Sequence, residues 1–236
     1  MKILALDTAT EACSVALLTE GRCDEIFEII PRQHTDRVLP MIDQILHQAG
    51  FSLSQMDALA FNCGPGSFTG VRVATSVVQG LAFSADLPVI PVSSLAALAQ
   101  QAFRLQQKEH VLSAIDARMN EMYWACYHCV NGIMQLSDNM NKMENVSAVA
   151  KVSTSDKTAN NEQWHAIGSG WDTFQNELMQ SEQVNIISST SDAFPHAQDI
   201  AVLAEIAFQQ GNMVSAEEAI PTYVRNEVTW KKLKDQ

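Results

Sequence analysis

Nowhere in the 236 residues do eighteen apolar side chains follow one another, so no stretch of the sequence reads as a membrane-spanning helix. Positive charge is scarce as well: 15 Lys and Arg stand against 27 Asp and Glu, a formal net charge of -12. Nucleic acid is held chiefly by clustered Lys and Arg that displace counterions, so this balance argues against a broad phosphate-binding surface on the chain alone. The one basic cluster, Lys231, Lys232 and Lys234 behind Arg225, sits at the extreme end and reads as a solvated tail. Cysteine is limited to five scattered residues, Cys13, Cys23, Cys63, Cys126 and Cys129. An odd, dispersed set fits reduced and mostly buried thiols better than a disulfide framework. The first residues, Met1, Lys2, Ile3 and Leu4, enter a strand pattern with no basic lead, long apolar stretch or small-residue cleavage site, so a cytoplasmic location is expected. Three catalytic signatures are also missing: the Lys-Ser/Thr end of a Walker loop, a G-x-S-x-G elbow, and a second Cys/His pair to complete the half-site suggested by Cys126 and Cys129.

What the sequence does contain is alternation. Apolar runs at 3–6 and 13–18 and an alternating stretch at 25–30 predict a three-stranded meander. Val38, Met41, Ile42, Ile45 and Ala49 recur at helical spacing before Gly50, which predicts a helix over 35–49 with Pro40 kinking it or marking its start. A buried strand at 58–61, a glycine-rich turn, a helix over 69–84, a strand at 88–92 and an Ala/Leu-rich helix from Ser94 follow. The pattern then restarts. Ile115 and Asp116 close an apolar run at 111–116, just as Leu6 and Asp7 close the first strand. Strands at 122–130 and 133–136, a polar loop at 151–163, a strand at 164–167, a helix at 171–179, a strand at 184–187 and a helix at 200–209 complete a second series. A repeated βββαβαβα order predicts an α/β protein of two like domains, 1–108 and 109–236, the first carrying the dimerisation helices and the second a C-terminal tail. Two such halves resemble the actin, Hsp70 and sugar-kinase (ASKHA) superfamily with its ribonuclease H-like motif.

Gly64, Pro65, Gly66, Ser67, Phe68, Thr69, Gly70, Val71 and Arg72 join a strand to a helix and form the most distinctive stretch. Two readings apply: an anion seat at a helix N-terminus capped by Ser67 or Thr69, or a tight turn at Gly64 and Gly66 with Gly70 admitting a neighbouring element. Behind the turn, the helix carries one apolar stripe of Gly70, Val73, Ala74, Val77 and Leu81 and a second of Val71, Thr75, Val78 and Ala82. The second stripe is assigned as a dimer or partner surface, the competing reading being a helix buried within its own domain. Asp7 and Asp116 end the strands that face phosphates and metal in nucleotide-binding members of the superfamily. Their turns lack the glycines that let backbone approach phosphate, although Gly168 and Gly170 suit an adenosine side, so these four residues are read as a vestigial cleft. His34 and Asp36 have no partners in sequence that would make a metal site or triad.

Residues 3–10, the stretch Gly64 to Arg72, the run Ile115, Asp116, Ala117, Arg118, Met119, and the ending Pro221, Thr222, Tyr223, Val224, Arg225, Asn226 closely resemble the TsaB (YeaZ) family, nearly end to end. The resemblance implies an actin-like fold and a homodimer when alone. It further implies a non-catalytic role in forming N6-threonylcarbamoyladenosine (t6A37) in tRNAs reading ANN codons, as scaffold for the catalytic relative TsaD with the ATPase TsaE, and with tRNA contacted only through the complex. Where the catalytic relative has metal-binding histidines, this chain has Ser94 and Leu98, neither able to replace an imidazole. No catalytic residue, metal or firm cofactor is therefore expected, weak nucleotide binding at the partner interface aside. The alternative is an ATPase or an M22-type metallopeptidase of the same superfamily.

Overall fold

A computed structural model of the chain describes residues 1–118, 121–137, 144–147, 163–171 and 185–223. The first meander comprises β1 (Lys2–Asp7), β2 (Ala12–Thr19) and β3 (Arg22–Ile29), paired antiparallel with Asp7 opposite Ser14 and Leu18 opposite Cys23. Glu20 and Gly21 alone join β2 to β3, both with positive φ, as the two-residue turn of a right-twisted hairpin requires. Helix α1 (His34–Ala49) buries Val38, Met41, Ile42, Ile45 and Leu46 and ends at Gly50 in the left-handed conformation; Pro40 lies inside it. Strand β4 (Ala58–Gly64) is buried along its whole length, which explains why it reads as an unbroken apolar run. Helix α2 (Phe68–Ala85), β5 (Val89–Ser93) and α3 (Ser94–Gln106) follow.

The second series repeats the strand order of the first and adds one short strand. β6 (His110–Arg118), β7 (Glu121–Val130) and β8 (Ile133–Leu136) form the meander, again with a two-residue turn, Asn131 and Gly132, at positive φ. A short strand not foreseen from sequence, β9 (Glu144–Ser147), pairs with β7. Then come β10 (Gln163–Ile167), β11 (Asn185–Thr190) and α4 (Ala197–Gln209). One sheet runs β3-β2-β1-β4-β5 and the other β8-β7-β6-β10-β11, with the central pairs β1–β4, β4–β5, β6–β10 and β10–β11 parallel. The identical order makes the fold a duplicated actin-like one. The expected loop at 151–162, most of the helix expected at 171–179 and the basic tail fall outside the described residues.

The expected cut between residues 108 and 109 separates the strands but not the helices. Sheet one packs α1 and α2 on one face, through Leu4, Leu6, Leu59 and Phe61 against Met41, Ile45, Ala74 and Val78. Its other face, Ile3, Ala5, Ala58 and Ile90, is covered by Ala197, Ile200, Ala201 and Ala204 of α4, from the far end of the chain. Conversely α3 lays Leu95, Leu98, Ala99 and Ala102 on sheet two, against Val111, Ile115, Tyr127 and Ile167. A buried sheet needs both faces covered, and the small residues of α4 let a helix lie close upon it. The lobes therefore exchange helices. All five cysteines are free, and Cys13, Cys63 and Cys126 are buried; burial pushes the Cys13 thiol up to about 12. Among the described residues no helix is long and apolar enough to cross a membrane.

Candidate functional site

The glycine-rich turn seats its glycines on the first hairpin, while Ser67, Phe68 and Thr69 are exposed. Ser67 caps α2 by accepting the Gly70 amide at 3.1 Å, and its own amide donates to the Ala9 carbonyl at 2.7 Å. Thr8 Oγ1 donates to the Gly70 carbonyl at 2.7 Å. A Cβ at Gly66 would stand 2.6 Å from the Ala9 carbonyl oxygen, and one at Gly70 2.0 Å from that of Thr8. Both glycines are there so that two backbones can meet, which is the second of the two readings given above. The β1–β2 turn, where a phosphate would need backbone amides, faces a loop of the same chain.

Asp7 lies wholly inside this contact. Its Oδ1 accepts the Ala9 amide at 2.8 Å, and Asn62 beside it accepts from Ser94 Oγ at 2.6 Å and from the Gly64 amide at 2.8 Å. Asp7 Oδ2 and Asn62 Nδ2 are buried without a hydrogen bond of good geometry. Burial pushes the Asp7 carboxyl from the ordinary 3.8 up to about 7, with the Ala9 amide and the nearby Asn62 side chain opposing. Asp116, its counterpart, is partly exposed; its carboxylate accepts the Arg118 amide at 2.7 Å and Arg118 Nη1 at 3.2 Å. The same guanidinium reaches Glu11 at 3.1 Å, so the two hairpins meet through Arg118. Gly168 and Gly170 sit against β6: a Cβ would fall 2.3 Å from the Ala114 carbonyl oxygen at the first and 2.8 Å from the Ala114 Cβ at the second. They serve close packing of the chain on itself. Two open hollows, of about 420 and 460 Å³, lie elsewhere, one between Phe83 and residues 213–217, the other among Lys108, His110, His165 and Ile187.

Ser94 and Leu98, at the positions compared with metal-binding histidines, are a buried serine bound to Asn62 and a core leucine of the second lobe. His34 turns Nε2 to the Ala12 carbonyl at 3.2 Å, a role in fastening α1 to the first hairpin.

The assignment of the second stripe to a partner surface is corrected. Val71, Thr75, Val78 and Ala82 are all buried, and Val78 and Ala82 join Ala74 in the core that seats α2 on its own domain. Spacing of three and four residues from 71 through 74, 75, 78 and 82 is a single helical face, so the division into two stripes does not hold. Thr75 tolerates burial because its hydroxyl donates to the Val71 carbonyl at 2.9 Å. The free face of α2 instead carries Thr69, Arg72, Ser76, Gly80 and Phe83, the last 75% exposed. Nothing lies within 4 Å of a Cβ built on Gly80. At the N-terminal end the Arg72 guanidinium stacks 3.3 Å from the Phe68 ring and 5.4 Å from that of Tyr223, on a surface where Phe68 is 64% exposed.

Comparison with known proteins gives a consistent set of likenesses. Residues 27–233 match the family model described as TsaD, tRNA N6-adenosine threonylcarbamoyltransferase. The chain is 46% identical over 236 residues to the tRNA threonylcarbamoyladenosine biosynthesis protein TsaB of Haemophilus influenzae, covering 99% of this chain and 97% of that one. Against the protein of the same description from Escherichia coli K12 the figures are 43%, 99% and 98%. The solved structure of YeaZ from Pseudomonas aeruginosa superposes with a TM-score of 0.85 at 44% identity, over 94% of this chain and 99% of that one.

Proposed function

The chain belongs to the TsaB (YeaZ) family, and on that premise we propose that it serves tRNA threonylcarbamoyladenosine biosynthesis in the cytoplasm as a non-catalytic subunit that presents the free face of α2 to its partners. The observation that carries the reading is the filled cleft. Where a catalytic relative would offer backbone amides to phosphate, Gly66 and Gly70 bring the chain's own loop onto Thr8 and Ala9. Binding energy is then left to surfaces, and α2 has the one best suited. Ser76 and Gly80 lie a turn apart on it and let a second helix approach within the usual ~8 to 10 Å. An antiparallel crossing centred between them sets Arg72 of one copy toward Asp86 of another and buries Phe83, which is compatible with a homodimer.

The same face would serve a TsaD-type catalytic subunit of like fold, with a TsaE-type ATPase joining that pair and tRNA held by the assembled complex. A net charge of -12 supports an indirect contact with tRNA. The alternative, an ATPase or M22-type metallopeptidase, needs strand-end carboxylates free for a ligand, whereas Asp7 is sealed and Asp116 is engaged by Arg118. Purified chain added to the catalytic subunit and the ATPase should be required for modification of tRNA, while alone it should turn over neither ATP nor peptide. Robust metal-dependent hydrolysis by the chain alone, or full modification without it, would overturn the proposal.

A further inference from the structure

The two exchanged helices are joined by one ion pair, whose carboxylate is buried. Arg104 of α3 donates from Nε to Asp199 Oδ1 and from Nη2 to Oδ2, each at 2.9 Å, while Asp199 of α4 is wholly buried and the Arg104 side chain 30% exposed. Each helix is in turn fastened to the lobe it joined. Helix α4 is held to sheet one at its N-terminus: Ser14 Oγ accepts the Ala197 amide at 2.9 Å, and Glu25 of β3 accepts the Gln198 amide at 3.1 Å and Gln198 Nε2 at 2.7 Å. His196 completes that clamp, pairing with Glu25 at 2.8 Å and stacking 4.1 Å from the Phe27 ring. Helix α3 is held to sheet two by Gln100, whose amide donates to the Gly132 carbonyl at 3.0 Å and accepts the Met134 amide at 2.9 Å.

We infer that the Arg104–Asp199 pair is a bolt between the lobes, so that the chain moves as one rigid body and its cleft does not open and close around a ligand. A planar guanidinium gripping a carboxylate by two bonds fixes orientation as well as distance. Two helices that only slid on apolar surface would leave the crossing angle free to vary, since apolar contact has no direction. At the opposite side, the contact of Arg118 with Glu11 bridges the hairpins in the same closed arrangement.

The test measures the distance between the lobes with nitroxide labels at Gln48→Cys in α1 and Gln135→Cys in β8, in a Cys23→Ser, Cys129→Ser background spin-diluted with unlabelled chain. The parent should give one narrow distance distribution that Mg·ATP leaves unchanged. Asp199→Asn should broaden it by at least about twofold, and Arg104→Lys, which keeps the charge but loses the fork, should broaden it too. Circular dichroism reports whether each variant is folded, and if Asp199→Asn is not, Arg104→Lys decides. A folded variant with the parent's narrow distribution, a parent distribution already broad, or a shift on adding Mg·ATP would overturn the inference.

Discussion

Replacing Asp7 by Asn removes one buried ionisable group while keeping the shape that accepts the Ala9 amide. The folded carboxyl titrates at about 7 and the unfolded one at 3.8, because burial penalises its charged form. A raised folded pKa means that the stability is fully present below 3.8 and lost as pH climbs to about 7, since between these values the native state holds a proton that the unfolded state has released. Each pH unit in that window costs about 1.4 kcal/mol, so the group alone should remove roughly 2 to 3 kcal/mol between about pH 5 and pH 7. Urea unfolding of parent and Asp7→Asn at several pH values measures this as the change in their stability difference. The constant offset between them is of no consequence, because the amide introduced by the substitution also meets the buried Asn62 Nδ2; the slope is the test. The variant should gain on the parent steadily up to about pH 7 and then run parallel to it. A difference independent of pH would refute the burial argument, and a parent that gained on the variant with rising pH would mean a carboxylate stabilised by a cation or by solvent.

Gly70→Ala should cost about 3 kcal/mol or more in chemical unfolding, since its Cβ would fall 2.0 Å from the Thr8 carbonyl oxygen, whereas Gly80→Ala, with open space around it, should gain up to about 1 kcal/mol. Equal effects at the two positions would remove the explanation given for the glycine-rich turn. Val78→Glu should destabilise the monomer by more than about 3 kcal/mol because Val78 is wholly buried, while Ser76→Glu should leave the unfolding midpoint nearly unchanged at concentrations where the parent is monomeric and abolish self-association in sedimentation at higher ones. A dimer unaffected by Ser76→Glu would place the contact elsewhere on the chain.

The duplicated strand order was legible because both meanders announce themselves alike, Leu6 and Asp7 closing one lead strand and Ile115 and Asp116 standing near the end of the other. The helices within the described residues were placed correctly along the chain, but not in space. Nothing local to Ala197, Ile200, Ala201 and Ala204 tells which sheet they cover; that is decided by Ile3, Ala5 and Ile90, whose face lacks a helix within the first 108 residues once α3 has left for the other lobe. The bolt between Arg104 and Asp199, 95 residues apart, was hidden for the same reason. The inverted reading of α2 had a local remedy. Valine and threonine at 71, 75 and 78 together with Ala74 mark one continuous apolar face, and Arg72, Ser76 and Gly80 mark its back. The glycines of the turn needed coordinates, since a residue kept small by a carbonyl of Ala9 or Thr8 looks in sequence like one kept small for phosphate.

Formation of threonylcarbamoyladenosine on tRNA, measured with the catalytic subunit and the ATPase and with either Ser76→Trp or Asp7→Asn in place of the parent chain, separates the helix face from the cleft. The surface account predicts that Ser76→Trp, folded and exposed, loses the activity while Asp7→Asn retains it. Modification that survives Ser76→Trp but is lost with a folded Asp7→Asn chain would contradict it.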